Sequence, residues 1–244
     1  MKGTWSTLDV GGKVVEVYEP PGERPSFGIL HLHDAGLTTL RNQPAFTALF
    51  DELHLACACP LGAVCWWVDR VCPAFDPVVS PERHVRERVL LVFAQRWNLP
   101  PRAVGLLGMS MGGQGALRLA FKHPRLFPAV AALAPVIEYH ELYGQGTVLD
   151  GMYDSKEQCR QDTVPMHVQP GNVPPHIFFC MDPDDRWLRG CERLVEKLRA
   201  MGVAFEADLA TRAGGHSWEY FDHMASRAVR FLHAGLELEG RRLL

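Results

Sequence analysis

The sequence predicts an α/β fold: a mostly parallel sheet with helices on both faces. Three observations carry that expectation. Strand-like and helix-like runs alternate along the chain, the pattern of repeated βαβ units. Several strand-like runs, such as FGILHL at residues 27–32, are almost continuously apolar, as strands covered on both faces are. The helix-like runs place apolar residues three and four apart.

The elements follow in order. KVVEVY at residues 13–18 comes after Gly11-Gly12 and reads as the second strand of an antiparallel N-terminal hairpin, ended by Pro20-Pro21-Gly22. Residues 27–32 form a buried strand. Residues 44–53 are helical, with Phe46, Leu49, Phe50 and Leu53 on one face. Residues 55–59 make another short buried strand. A long irregular stretch, 60–81, holds Trp66, Trp67 and Phe75 among prolines; loops of this length are commonly functional, and two tryptophans argue against disorder. Residues 82–97 form an amphipathic helix. Residues 103–107 are a strand, 115–122 a helix and 129–133 a strand. Residues 136–175 show no clear period and read as an insertion leaving the core, either a lid or a wall. HIFFC at 176–180 is a strand, 188–201 a helix stopped by Gly202, 204–209 a last strand, and 217–232 a terminal helix.

The chain has 244 residues, the size of one undivided α/β domain, so residues 1–244 are read as a single unit. Charged residues are 22% and the net charge is −3, which gives no basic stripe for nucleic acid. No run approaches the roughly 18 apolar residues of a membrane span. The first residues lack the apolar region of a signal peptide. Seven cysteines form no C-x-x-C pair, so zinc is not expected, and Cys57, Cys59 and Cys180 in apolar strands read as small buried hydrophobes. A reducing cytoplasm is the expected location. The expected partner is a small molecule, with neither nucleic acid nor membrane; homo-oligomers stay open.

Gly108-Met109-Ser110-Met111-Gly112 is the chemically informative stretch. A G-x-S-x-G pentapeptide is a weak signal alone. Between a strand and a helix it reads as a nucleophile elbow, with Ser110 on the tight turn. A serine nucleophile needs a base, and the base an orienting acid. The order Ser…Asp…His is that of the α/β-hydrolases. Gly214-Gly215-His216 lies between the last strand and last helix, which places His216 at the sheet edge where ligands bind. The acid should follow the HIFFC strand, where Asp182, Asp184 and Asp185 compete; position does not choose among them. The oxyanion donors should be the N–H of Met111 and an N–H of the loop after residue 32, from Ala35 or Leu37. His31 and His33 share a face at strand spacing; a hydrogen-bonding role for His33 in the loop is favoured over a metal pair, so no metal and no cofactor are expected. Trp67 and Trp66 either wall the substrate pocket or anchor their loop.

Together these residues resemble the esterase D-like esterases of the α/β-hydrolase fold, a group that includes S-formylglutathione hydrolases. Ser110-Met111-Gly112-Gly113-Gln114-Gly115-Ala116-Leu117 is similar to the family's S-M-G-G-H-G-A-L, with Gln114 in place of histidine. Gly36-Leu37-Thr38 resembles its oxyanion loop, and Trp66-Trp67-Val68-Asp69 a segment bordering its active site. Asp184-Asp185-Arg186-Trp187-Leu188 resembles a D-D-x-F-L stretch whose second aspartate is the triad acid, which implies Asp185. The chain departs from the pattern in having Asp34 after His33 and an insertion unlike the formylglutathione pocket. The resemblance implies a serine carboxylic-ester hydrolase acting on small acyl esters with Ser110, His216 and Asp185. A thioesterase is the alternative, and a non-catalytic binding homologue a more distant one.

Overall fold

The computed structural model describes residues 2–242. Eight strands form one sheet in the order β1-β2-β4-β3-β5-β6-β7-β8. These are β1 (Thr4–Asp9), β2 (Val14–Glu19), β3 (Phe27–Leu32), β4 (Leu55–Pro60), β5 (Val104–Met109), β6 (Ala129–Leu133), β7 (His176–Cys180) and β8 (Glu206–Asp208). The predicted hairpin is β1–β2, and β2 also meets β4 antiparallel; every other pairing is parallel. β4, β5 and β6 are buried along their whole length, as continuous apolar runs require when both faces are covered.

The helices are α1 (Pro44–Glu52), α2 (Pro81–His84), α3 (Leu90–Trp97), α4 (Met111–Lys122), α5 (Leu149–Met152), α6 (Lys156–Gln161), α7 (Leu188–Ala200) and α8 (Trp218–Arg241). A side chain at Gly28 of β3 would meet Phe93 of α3, whereas one at Gly105 of β5, paired with Ile29, would meet Leu232 of α8. Glycine therefore lets α3 and α8 approach opposite faces of the central strands. The expected helix over 82–97 is one continuous run from α2 to α3, joined by a π turn (Val85–Val89) that an apolar period does not register. It starts where Ser80 Oγ accepts the Arg83 N–H, with Pro81 in the first turn. α8 runs nine residues beyond the expected end, because Leu236 keeps the apolar face buried and Gly235 makes room for the His176 ring. β8 is shorter than expected, since only Phe178–Cys180 of β7 offers it partners. Seven thiols are free and buried.

The segment 136–175 is a correction to the expectation of an excursion from the core. It carries two 3-10 turns, Tyr139–Leu142 and Val164–His167, besides α5 and α6. Tyr139, Leu149, Cys159 and Val164 are fully buried. Asp162 ties it to the elbow helix: the Arg118 Nε of α4 donates to the Asp162 carbonyl and to its Oδ1, both at 3.0 Å. The Arg118 guanidinium also pairs with Glu82 of α2, and Glu82 takes Lys122 Nζ at 2.8 Å and His123 Nε2 at 2.8 Å. Tyr153 and His167 complete the shell of Asp162, donating at 2.7 and 3.1 Å. Burial alone would raise the Asp162 carboxyl, but the His167 hydrogen bond and the Arg118 charge outweigh it and hold its pKa down to about 2.

Removing one member of a buried ion cluster strands the others. Glu82→Ala is expected to destabilise the fold by about 3–5 kcal/mol, read from urea unfolding midpoints. A carboxylate held below its unfolded value stabilises the fold above about pH 4 and loses that contribution as the pH falls toward its folded pKa. Wild-type stability should therefore drop between about pH 4 and pH 2 more steeply than that of Asp162→Asn. Equal slopes would contradict the assignment.

Candidate active site

β5 delivers Ser110 to the C-terminal edge of the sheet, and α4 starts one residue later. Ser110 sits at φ 53° and ψ −115°, a conformation that a serine holds only under constraint. Its N–H donates to the Leu133 carbonyl of β6 at 2.9 Å, and its own carbonyl accepts from Val136 N–H at 3.2 Å. The flanking glycines are sterically required. A Cβ at Gly108 would lie 2.1 Å from the Gly112 carbonyl oxygen, and one at Gly112 only 1.9 Å from that of Leu32. The turn is thus wedged between β3, β6 and its own helix.

His216 comes from the loop between β8 and α8, where Gly214 and Gly215 both have positive φ. Its Nε2 lies 2.7 Å from Ser110 Oγ, and its Nδ1 lies 2.5 Å from Asp185 Oδ2. With Nδ1–H facing a carboxylate, Nε2 is the acceptor of the serine proton. The structure separates the three aspartates. Asp185 is buried, reaches His216, and is oriented by the Trp187 N–H at 2.9 Å. Asp184 points outward to Arg212. Asp182 accepts the N–H groups of Asp184, Ala213 and Gly215 at 2.8, 2.7 and 3.0 Å, so it staples the His216 loop to the end of β7. Burial would raise its pKa, but those three donors overcome the effect and leave it lowered.

The loop after β3 faces Ser110 from the other side. Leu37 is a correction to the expected oxyanion donor. It adopts φ 60°, and its N–H is spent on the Asp34 carbonyl at 3.1 Å, closing a turn. Ala35 and Met111 line the cavity beside Ser110, and among the described residues neither N–H has an internal acceptor. Asp34, which departs from the family pattern, has visible work: Oδ1 accepts Thr38 N–H at 3.1 Å and Oδ2 accepts Trp218 Nε1–H at 3.3 Å. That bridges this loop to the first residue of α8, two positions beyond His216. His33 holds the loop in place, with Nε2 accepting from Gly62 N–H at 3.0 Å and Nδ1–H donating to the Asp34 carbonyl at 2.7 Å. Burial keeps its pKa below the ordinary histidine value. His31 is likewise buried, against Met109. Among the described residues no His, Cys, Asp and Glu cluster has metal-site geometry.

A cavity of about 320 Å³ opens beside Ser110, walled by Trp66, Val136, Leu142, Trp187, Trp218 and Phe221. Arg186 stands at its rim, stacked on Trp187 at 4.9 Å. The two tryptophans of the 60–81 stretch divide. Trp66 lines the cavity and stacks on Tyr139, with ring centroids 5.0 Å apart. Trp67 does not reach the cavity, which corrects its reading as a pocket wall. It is fully buried, donates Nε1–H to the His33 carbonyl at 3.1 Å, and presses on Gly115 so closely that a Cβ there would lie 2.5 Å from the Trp67 Cβ. Gln114, in place of the family histidine, donates to the Trp66 carbonyl. Asp182 as a staple, and Tyr139 behind Trp66, carry no sequence pattern that would single them out.

The sequence model of the family described as "Putative esterase" matches residues 82–232, more than half of the chain. Among solved structures, the chain is similar to an S-formylglutathione hydrolase from Agrobacterium tumefaciens, at 16% identity and TM-score 0.78 over 96% of this chain and 94% of that one. It is similar to FphF, a fluorophosphonate-binding serine hydrolase of Staphylococcus aureus, at 16% identity and TM-score 0.75 over 96% and 99%. It is also similar to FrmB, an S-formylglutathione hydrolase of the same organism, at 15% identity and TM-score 0.73 over 96% and 100%. At such identities the likeness is one of fold, the α/β-hydrolase fold. No curated protein matches the sequence.

Asp182→Ala is expected to free the Ala213 and Gly215 amides. Their hydrogen exchange should quicken, and stability should fall by about 1–3 kcal/mol. Unchanged exchange at those two amides would show that Asp182 does not hold the loop.

Proposed function

The chain belongs to the esterase family, and on that footing we propose that it is a serine carboxylic-ester hydrolase acting on small acyl esters. The observation that carries the reading is the relay of 2.7 and 2.5 Å from Ser110 through His216 to Asp185. Ser110 Oγ attacks the ester carbonyl while His216 Nε2 takes its proton. The proton then passes to the leaving alcohol, which departs as the acyl-enzyme forms. Asp185 fixes the imidazole tautomer and offsets the charge of the imidazolium. The N–H groups of Met111 and Ala35 receive the developing oxyanion, Met111 from the start of the elbow helix. Water, deprotonated by the same histidine, attacks the acyl-enzyme and releases the acid. These steps use side chains and backbone amides of this chain.

The apolar walls of the cavity and its volume of about 320 Å³ favour a small, uncharged acyl or alcohol group. No helix among the described residues is long and apolar enough to cross a membrane. The proposed partner is a small-molecule ester.

The testing experiment is hydrolysis of p-nitrophenyl esters from acetate to octanoate, beside an acyl thioester of matched length. Wild type should hydrolyse the short esters, and Ser110→Ala should lose activity on the order of 10⁶-fold in kcat. A fluorophosphonate should add covalently to Ser110 in wild type only. Activity that survives Ser110→Ala removes the proposal, and thioester turnover without ester turnover turns it into a thioesterase. Trp66→Ala should shift the preference toward longer acyl chains. Trp67→Ala should leave the preference unchanged while costing about 3–5 kcal/mol of stability.

A further inference from the structure

The loop after β3 and the loop of His216 come from distant parts of the chain, and the Asp34 side chain reaches from one toward the other. Asp34 lines the cavity beside Ser110, at the position where the chain departs from the family pattern. Its carbonyl oxygen accepts two N–H groups, from Leu37 at 3.1 Å and from His33 Nδ1 at 2.7 Å. In a planar trans peptide the N–H points opposite to the carbonyl. The two donors that hold the Asp34 carbonyl therefore also hold the direction of the Ala35 N–H, the proposed oxyanion donor.

The carboxylate extends this hold in two directions. Oδ1 accepts the Thr38 N–H at 3.1 Å, so the 34–38 loop is closed a second time. Oδ2 accepts Trp218 Nε1–H at 3.3 Å. Trp218 is the first residue of α8, whose start is fixed by Ser217 Oγ accepting the Tyr220 N–H at 3.3 Å. The Trp218 ring meets Phe221 edge-on at 5.3 Å, and Phe221 meets the His216 ring edge-on at 6.0 Å. A continuous series of contacts thus runs from the Ala35 peptide to the imidazole, and the Asp34 carboxylate is the link that crosses between the two chain segments.

Charge alone argues against a carboxylate here, since an anion beside a developing oxyanion destabilises it. Geometry argues for it, because a carboxylate only accepts and both groups it meets are N–H donors. An asparagine separates the two effects. It keeps the size and removes the charge, but its amide oxygen can serve one of the two donors while its NH₂ is set against the other.

We propose that Asp34 is a positioning residue: its carboxylate sets the oxyanion donor Ala35 and the base His216 in register, so that both meet the same tetrahedral centre. The inference rests on the ester-hydrolase reading.

The test is steady-state hydrolysis of the short p-nitrophenyl esters by wild type, Asp34→Asn, Trp218→Phe and the double variant, with rates normalised to the fraction of Ser110 that a fluorophosphonate labels. Asp34→Asn should lower kcat by about 10–100-fold and leave KM within about twofold, the signature of a lost transition-state alignment. Trp218→Phe keeps a ring and loses the N–H, and should lower kcat by about tenfold. The double variant should be no slower than Asp34→Asn alone, since both changes break the same link. A trifluoromethyl ketone, which Ser110 converts to a hemiketal oxyanion, should lose affinity in Asp34→Asn by about the factor lost in kcat/KM. A purely structural loss, read from unfolding midpoints, would leave the labelled fraction with wild-type kcat and overturn the proposal. An unchanged or raised kcat in Asp34→Asn, or losses that multiply in the double variant, also overturn it and leave the ester-hydrolase reading standing. A wild type that neither turns over esters nor takes the label removes both.

Discussion

The backbone at Ser110 is the constraint around which the rest of the molecule is arranged. A serine at φ 53° and ψ −115° does not stay there by preference. It is held by three sources at once: the Leu133 carbonyl takes its N–H, Val136 gives an N–H to its carbonyl, and α4 begins immediately after it. None of this fits unless Gly108 and Gly112 lack side chains, because β3 and α4 occupy that space. The order of the central strands follows the same demand. β3 and β6 flank β5, so the turn at its end has a rigid neighbour on each side. The loops leaving those neighbours supply Ala35 and Val136 to the cavity, while Asp185 follows β7 and His216 follows β8.

The buried charges around Arg118 solve a different problem. The 136–175 segment lacks long helices that could clamp it by apolar burial alone. Its hold on α4 comes through Asp162, with Tyr153 and His167 closing the remaining acceptor positions. Such a cluster is not a cheap source of stability, since desolvating ions costs several kcal/mol each. What it gives is register, because one guanidinium with two carboxylate partners admits few alternative seatings. Tyr139, hydrogen-bonded to Tyr153 at 3.1 Å, carries that register to Trp66 and the cavity wall.

Much of this was legible in the residues. Continuous apolar runs announce strands covered on both faces, and β3 to β7 fall where those runs are. Ser110 and His216 stand out because glycines surround them at strand ends. The remainder depends on where backbone amides point, which side-chain chemistry does not encode. Asp182, Asp184 and Asp185 are chemically alike. Only the fold gives one to loop amides, one to Arg212 and one to the imidazole. Leu37 and Ala35 differ by a turn that consumes one N–H. Trp66 and Trp67 are adjacent and both left-handed, at φ 57° and 54°, so their rings diverge, one to the cavity and one to the core. Arg118 was hidden because one charged letter in an apolar helix looks like a solvated edge, whereas here it is 1% exposed.

The tether between Asp162 and Arg118 also bears on how such a chain can change over generations. The stretch that walls the cavity through Val136 and Leu142 is contiguous and lies between two neighbouring parallel strands. A new pocket could thus arrive by exchanging one piece of sequence, leaving the serine, histidine and aspartate untouched. Arg118, however, belongs to the elbow helix and stays behind. An incoming segment without an acid at the Asp162 position would leave that guanidinium buried with fewer partners beneath the nucleophile. Segment and helix are therefore bound to be inherited together, and the arginine acts as a compatibility requirement on every pocket the scaffold can acquire.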